Sequence, residues 1–308
     1  MRRVHSPLSL PFLLLAALPL LFVLFRTLRR RARRRALRPG SVALITGGGS
    51  GIGLAVARYF ARAGCSVLLV GRNADALQSA QNACKTLGAP HADVIVADLS
   101  TVEGTSKVGA VVREWRQQHG SEEPFKYLVL NAGAGAILPF ASSPSFYTVC
   151  EDMMQINYFA NVRLLQQLLP LLGETHSEKD PSRVIVMSSL AGILPSTFRS
   201  AYTASKHAIQ GFMNALRGET DVAITLCCPG YVDTEFHKLA QQGGSMAGSN
   251  HRRGVPPEVC AEQCMAGVLH GDAEVLTTLT GRLGYVLRPI FTSFIDSRAK
   301  EMSTRSLN

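Results

Sequence analysis

Between Ser41 and Cys228 the sequence repeats one pattern: a short run of consecutive aliphatic residues, then a longer stretch with helical spacing. SVALIT is followed by LAVARYFARAG, SVLLVGR by NADALQSAQNACKTLG, ADVIVADLS by VEGTSKVGAVVREWRQQHG, and KYLVL runs into the glycine-rich NAGAG. Runs of Val, Leu and Ile with no polar alternation belong to strands covered on both faces. Strands of that kind alternating with helices require an α/β fold with a doubly wound parallel sheet. The second half continues with a helix over about Glu151 to Leu172, strand RVIVMSS, a helix over 202–218 and strand VAITLCCPG. Residues 231–257, with Gly243, Gly244, Gly248, Pro256 and Pro257, interrupt the alternation as a loop excursion. A helix starting near Glu258 and the run AEVLTTL then lead back to the sheet. No internal repeat is present, and residues 41–308 parse as one domain.

What precedes that domain differs in kind. Val4 to Phe25 contains no Asp, Glu, Lys or Arg, and Arg26 to Arg38 then contains eight arginines. As a helix the apolar run would extend roughly 33 Å, close to the ~30 Å hydrocarbon thickness of a bilayer. A cleaved secretory signal has its charge before the apolar run, and a mitochondrial presequence is amphipathic; neither describes this segment. It reads as a membrane anchor over residues 1–25 followed by an arginine-rich linker over 26–40, with a hairpin bent at Pro11 and Pro19 as the alternative. The positive-inside bias then holds the C-terminal part in the cytosol. Endoplasmic reticulum is the expected membrane, with lipid droplet or peroxisome also open.

Charge excludes one class of partner. The chain has 32 Lys plus Arg and 22 Asp plus Glu, and ten of the basic residues lie before position 40 with no acidic residue among them. The rest is therefore balanced, and the globular part has no cationic field for nucleic acid. The seven cysteines form no CxxC pair and no even set, which points to a reducing compartment; Cys260 and Cys264, without histidines at zinc spacing, read as packing residues. There is no Asn-x-Ser/Thr sequon.

Gly47, Gly51 and Gly53 fall at the first strand-to-helix turn. Glycines allow the chain to turn tightly and approach a ligand closely, and the helix that follows offers unpaired N–H groups to a pyrophosphate. Ser50 and Ile52 lie in the same turn. An acidic residue ending the second strand would read a ribose 2′-hydroxyl, but the sequence there is Val70-Gly71-Arg72-Asn73. Arg72 suits a 2′-phosphate, which favours NADP(H) over NAD(H). Asp98, followed by Leu99, ends the third strand and is placed to accept from an adenine amino group. Asn131, Ala132 and Gly133 form a small-residue turn beside the cofactor path.

Tyr202 and Lys206 are four residues apart and share a helix face. A cation beside a phenol favours the phenolate and lowers its pKa, giving a group that donates a proton to a ketone oxygen or takes one from an alcohol. Ser188 and Ser189 end a strand at the carboxyl edge, where open α/β sheets place ligands. A hydroxyl there can hold a carbonyl oxygen while the alkoxide that develops is stabilised and protonated.

TGGGSGIG, NAG, Asn157 in MMQINYFANV, SSLAG, YTASK and PGYVDT together resemble, in content and order, the short-chain dehydrogenases/reductases, over nearly all of residues 41–235. The resemblance implies a Rossmann-type fold and a tetrad. Tyr202 is its acid/base, and Lys206 lowers the phenol's pKa and binds the nicotinamide ribose. Ser189, rather than Ser188, orients the carbonyl, and Asn157 maintains a water-linked proton route. Pro229, Gly230 and Thr234 fall in the segment near the nicotinamide. FRSAYTASKHA, PGYVDT, FTSFIDSRAK and the N-terminal run are closest to the family's membrane-anchored branch. That likeness implies a hydrophobic ketone or alcohol as substrate: acyl- or alkyl-dihydroxyacetone phosphate, 3-ketosphinganine, a steroid or a retinoid. A catalytically vestigial nucleotide-binding scaffold is the alternative. The lipid bilayer and a second copy of the chain, paired through the long helix of Leu164, Leu165, Leu168 and Leu169, are the expected partners. Residues 283–295 are too short for a second span and read as an interfacial patch, a pocket edge, a dimer surface or ordinary packing.

Overall fold

A computed structural model describes residues 35–119, 123–237, 241–242 and 254–305. The expected anchor at 1–25, residues 26–34 of the arginine-rich linker, and most of the 231–257 excursion's glycine-rich part lie outside the described residues. Among those described, no helix is long and apolar enough to cross a membrane.

Seven parallel strands form the main sheet: β1 (Val42–Thr46), β2 (Ser66–Gly71), β3 (Ala92–Val96), β4 (Phe125–Leu130), β5 (Arg183–Met187), β6 (Ala223–Cys228) and β7 (Glu274–Leu276). Their order across the sheet is 3-2-1-4-5-6-7. The connecting helices are α1 (Gly51–Arg62), α2 (Ala74–Thr86), α3 (Val102–His119), α4 (Phe146–Met154), α5 (Ala160–Thr175), α6 (Ser200–Leu216) and α7 (Pro257–His270). Two more, α8 (Leu279–Leu287) and α9 (Thr292–Arg305), follow the last strand.

The continuous apolar runs have the cause expected of them. Successive side chains of a strand point to opposite faces, and each face here is covered. Ala43, Ile45, Val67, Leu69, Val129 and Ile185 pack under α1, α2 and α7. Their neighbours Val42, Leu44, Leu68, Val70, Leu128 and Val184 pack under α3, α5 and α6. The fold is thus a Rossmann-like parallel sheet with helices on both sides.

The single helix expected from about Glu151 to Leu172 is instead two helices joined by a π-helical turn at Gln155–Phe159, with Asn157 inside the turn. A π turn inserts an extra residue without breaking the backbone ladder, so it leaves little trace in apolar spacing. The helix expected at 202–218 runs Ser200–Leu216, and of AEVLTTL only Glu274–Leu276 joins the sheet.

Because every strand is parallel, all carboxyl ends lie along one edge. From β1 the chain winds outward to β2 and β3, then returns to place β4 on the other side of β1. That reversal opens a crevice above β1 and β4, the usual ligand position in such sheets.

Candidate active site

A cleft of about 1080 Å³ lies along that edge. At one end, Gly47 adopts φ +66° and Gly51 φ +53°, left-handed conformations that a Cβ would strain. Gly47, Ser50, Gly51 and Ile52 line the cleft where α1 begins. The first amides of a helix have no intrahelical acceptor, so this corner is a ready anion site.

Gly53 does not line the cleft. A Cβ there would fall 2.1 Å from Gly47 O and 2.5 Å from Asn131 Nδ2, so this glycine lets α1 pack against the turn. The turn is fixed by Thr46, which the sequence reading did not single out. Its hydroxyl accepts from Asn131 N (2.8 Å) and Ala132 N (3.0 Å) and donates to Val129 O (3.2 Å), using all of its capacity. Asn131 lines the cleft, and its Nδ2 donates to Thr46 O at 2.9 Å, so the side chain also holds β1 and β4 together. Its position directly before the glycine turn is the only signal that could have exposed Thr46.

Farther along the cleft, Arg72 is exposed at the end of β2, and Asp98 and Leu99 follow β3. Asp98 Oδ1 accepts from Ser100 N (2.9 Å) and Ser100 Oγ (2.7 Å). Those bonds, with a lesser contribution from Arg72, hold its carboxyl below the ordinary value. Ala132 and Gly133 line the floor, and Pro229, Gly230 and Thr234 the opposite wall, with Thr234 Cγ2 3.2 Å from where a Gly51 Cβ would stand. A glycine cradle, a helix start, a guanidinium and a carboxylate along one groove fit a nicotinamide dinucleotide.

At the other end Ser189, Tyr202 and Lys206 converge. Ser189 follows β5, and its Oγ accepts from Ala191 N at 3.1 Å. It also hydrogen-bonds the phenol of Tyr202 in the sense that favours phenolate. Lys206 Nζ lies 5.8 Å from the centre of the Tyr202 ring and donates to Met187 O at 2.9 Å. Ser188 is buried against Gly192, consistent with a packing role.

The expected fall in the Tyr202 pKa is reversed in this arrangement. Burial is the largest influence and pushes the phenol above its ordinary value, against the opposing pulls of Ser189 and Arg199. The same burial brings Lys206 down to about 8. Arg199, three residues before Tyr202 and also on the cleft wall, is a cation the sequence reading passed over.

Asn157 does not line the cleft. It is fully buried in the π turn, where Oδ1 accepts from Ala134 N (3.0 Å) and Nδ2 donates to Ala134 O (2.9 Å) and Ser205 Oγ (3.0 Å). Ser205 Oγ in turn donates to Tyr202 O (2.8 Å). Asn157 therefore ties the loop after β4 to the helix carrying Tyr202 and Lys206, a positioning role. Ser205, one residue before Lys206, is the second member of that tie. The lining also includes the apolar Ile137, Met153, Leu190 and Phe236, beside the polar Ser196, Thr197 and Glu235.

A family model for short chain dehydrogenase matches residues 41–243. The chain belongs to the short-chain dehydrogenase/reductase family. It is 30% identical over 300 residues to the dehydrogenase/reductase SDR family protein 7-like of Dictyostelium discoideum, covering 95% of this chain and 91% of that one. It is 34% identical to dehydrogenase/reductase SDR family member 7B of Rattus norvegicus, over 70% of this chain and 65% of the relative. A hydroxysteroid 11-beta-dehydrogenase 1-like protein of Gallus gallus is 35% identical over 64% of this chain and 66% of its own. Among solved structures, Pseudomonas aeruginosa RhlG in its NADP active-site complex superposes with a TM-score of 0.64 at 27% identity, over 79% of this chain and 96% of RhlG. A Burkholderia phymatum family member in complex with NAD superposes at 0.69 with 20% identity, over 83% and 95%. The chain is thus an oxidoreductase of this family, and its solved neighbours hold NADP in some cases and NAD in others.

Proposed function

We propose that the protein is an NADP(H)-dependent oxidoreductase that reduces the carbonyl of a hydrophobic, lipid-like substrate, or oxidises the corresponding alcohol. We place it at a membrane through residues 1–25, with the catalytic domain in the cytosol and the endoplasmic reticulum as the first membrane to test. The observation carrying the reading is the convergence of Ser189, Tyr202 and Lys206 at one end of a cleft whose other end presents Arg72. The apolar Ile137, Met153, Leu190 and Phe236 in its lining, and relatives whose names include a hydroxysteroid 11-beta-dehydrogenase 1-like protein, support a hydrophobic substrate.

When bound, the nicotinamide dinucleotide supplies or accepts a hydride. The chain's own residues manage the oxygen. The Ser189 hydroxyl donates to the carbonyl oxygen and holds it beside the phenol. Tyr202 gives its proton to that oxygen as negative charge develops there; burial, by keeping the phenol protonated, favours this donor state. Lys206 is near enough to stabilise the phenolate left behind, and burial leaves it able to exchange a proton near neutral pH. Asn157 and Ser205 hold the helix in register, and the water-linked proton route remains our reading of Asn157's further part. Arg72 pairs with a 2′-phosphate, selecting NADP(H).

The test is turnover of the full-length protein on a panel of acyl-dihydroxyacetone phosphate, 3-ketosphinganine, retinal and ketosteroids with each cofactor. At least one ketone should be reduced with NADPH, and Tyr202→Phe should lower kcat roughly 10²- to 10⁴-fold, the range for a positioned acid. Undiminished reduction by the Phe variant would remove Tyr202 from the chemistry. A wild type that binds NADPH yet turns over no ketone or alcohol would instead favour the scaffold.

A further inference from the structure

Helix α8 is packed the wrong way round for a water-soluble surface. It meets the rest of the protein through Gly281 and Gly284, which are buried. A Cβ at Gly281 would stand 2.6 Å from Leu190 Cδ2, and one at Gly284 would stand 3.1 Å from Leu194 Cδ1. The opposite stripe, spaced four, three and four residues apart, is Leu279, Leu283 and Val286, with Ile290 in the turn beyond; their exposures are 71, 52, 67 and 73%. Phe291 and Phe294 extend it toward α9, both more than half exposed. An amphipathic helix in a globular protein turns its large apolar side chains inward. This one does the reverse, and contiguous exposed apolar surface marks an interaction site.

Three features of the chain select the occupant. From Val275 to Ile295 the sequence contains Arg282 and Arg288 and no Asp or Glu, so nothing in the stripe repels an anionic surface. Thirty-four residues precede the first described one, among them the uncharged Val4 to Phe25 run. They join at Arg35, whose N–H donates to Leu269 O near the end of α7. There the chain turns into β7, and α8 follows from its other end. Residues 26–34 can span at most about 30 Å, so a bilayer holding the anchor stays close to the domain. Finally, Leu190, on which α8 sits, is itself a wall of the catalytic cleft.

We infer that the outward face of α8 and the turn into α9 insert into the lipid interface, seating the mouth of the catalytic cleft against the bilayer from which an apolar ketone enters. The inference rests on the membrane attachment proposed above, and it adds a second, monotopic contact.

The experiment uses the full-length chain in vesicles of phosphatidylcholine and phosphatidylserine. Cys150 is the one cysteine that is not buried, so a Cys150→Ser background lets an environment-sensitive fluorophore be placed at Val286→Cys or, as control, at Gln118→Cys on α3. Acyl-chain spin labels should quench the 286 probe and leave the 118 probe unaffected. Equal, weak quenching at both sites would overturn the inference. So would a 286 probe shielded from water but untouched by lipid spin labels, because that outcome means a second copy covers the stripe. As a second measurement, Val286→Asp/Ile290→Asp should raise KM for a vesicle-borne ketone about tenfold, while kcat and KM for a water-soluble ketone stay unchanged; equal KM values for the vesicle-borne ketone would also overturn it. Quenching is read without turnover, so loss of the substrate reading and loss of this one are told apart.

Discussion

Tyr202 and Lys206 are each moved by burial, in opposite directions: the phenol is pushed up and the ammonium down, each shifted toward its neutral form. For Lys206 the consequence for stability has a definite sign. Its pKa falls from 10.5 to about 8 on folding, so the unfolded chain binds more protons between those values. The resulting penalty, roughly 3 kcal/mol, is fully present below pH 8 and is relieved as pH rises toward 10.5. Denaturant unfolding of the cofactor-free protein and of Lys206→Met, compared from pH 7 to 10, should therefore show the wild type gaining stability relative to the variant as pH rises. A pH-independent difference would mean that the amine is not desolvated. Arg72 carries a different prediction. If it pairs with a 2′-phosphate, Arg72→Gln loses a charge-assisted bond worth about 1.5–3 kcal/mol. KM for NADPH should then rise roughly 10- to 100-fold with NADH kinetics almost unchanged, and a parallel loss with both cofactors would return Arg72 to a general surface role.

At the scale of the element, the first β–α unit holds the most information per residue. Gly53, in the first turn of α1, lies so close to the preceding turn that any side chain meets backbone oxygen. Gly53→Ala should lower stability by about 1–3 kcal/mol, or several degrees in Tm, with loss of dinucleotide binding, both read by thermal melts with and without NADPH. Gly40, which has no heavy atom within 4 Å of its Cβ position, is the matched control for a glycine held only by its φ of +73°. The strands were legible because burial on both faces leaves an unbroken aliphatic run such as Val42–Ile45. The π turn at Gln155–Phe159 was not, because its extra residue preserves the apolar face on either side. Nor was the Asn157–Ser205 tie, since those two residues lie 48 positions apart and only the fold brings them together. The Tyr202–Lys206 pair was legible as a shared helix face, but the direction of the phenol's shift depends on three-dimensional burial, which spacing does not encode.

At the scale of the whole molecule, the sheet that builds the cleft also determines which thiols the protein exposes. Cys65 and the α2 residue Cys84 lie in the same core as Cys227 and the α7 residues Cys260 and Cys264, while Cys228 ends β6 beside Gln210. All six are buried and only Cys150, packed beside the cluster of Met153 and Tyr202, is partly accessible. Burial pushes the Cys65 thiol up to about 12, and Cys228 likewise, so neither supplies thiolate at neutral pH. The cysteine count suggested a reducing compartment; the fold adds that oxidation is resisted by enclosure as well. A disulfide-exchange reagent at pH 8 should modify one thiol per native chain, slowly, and all seven after denaturation. A Cys150→Ser variant should leave the native protein unreactive over the same interval. Rapid modification of both Cys260 and Cys264 in the native protein would show that α7, which carries them, opens away from the sheet, and with it the contact by which Arg35 joins the N-terminal chain to the domain.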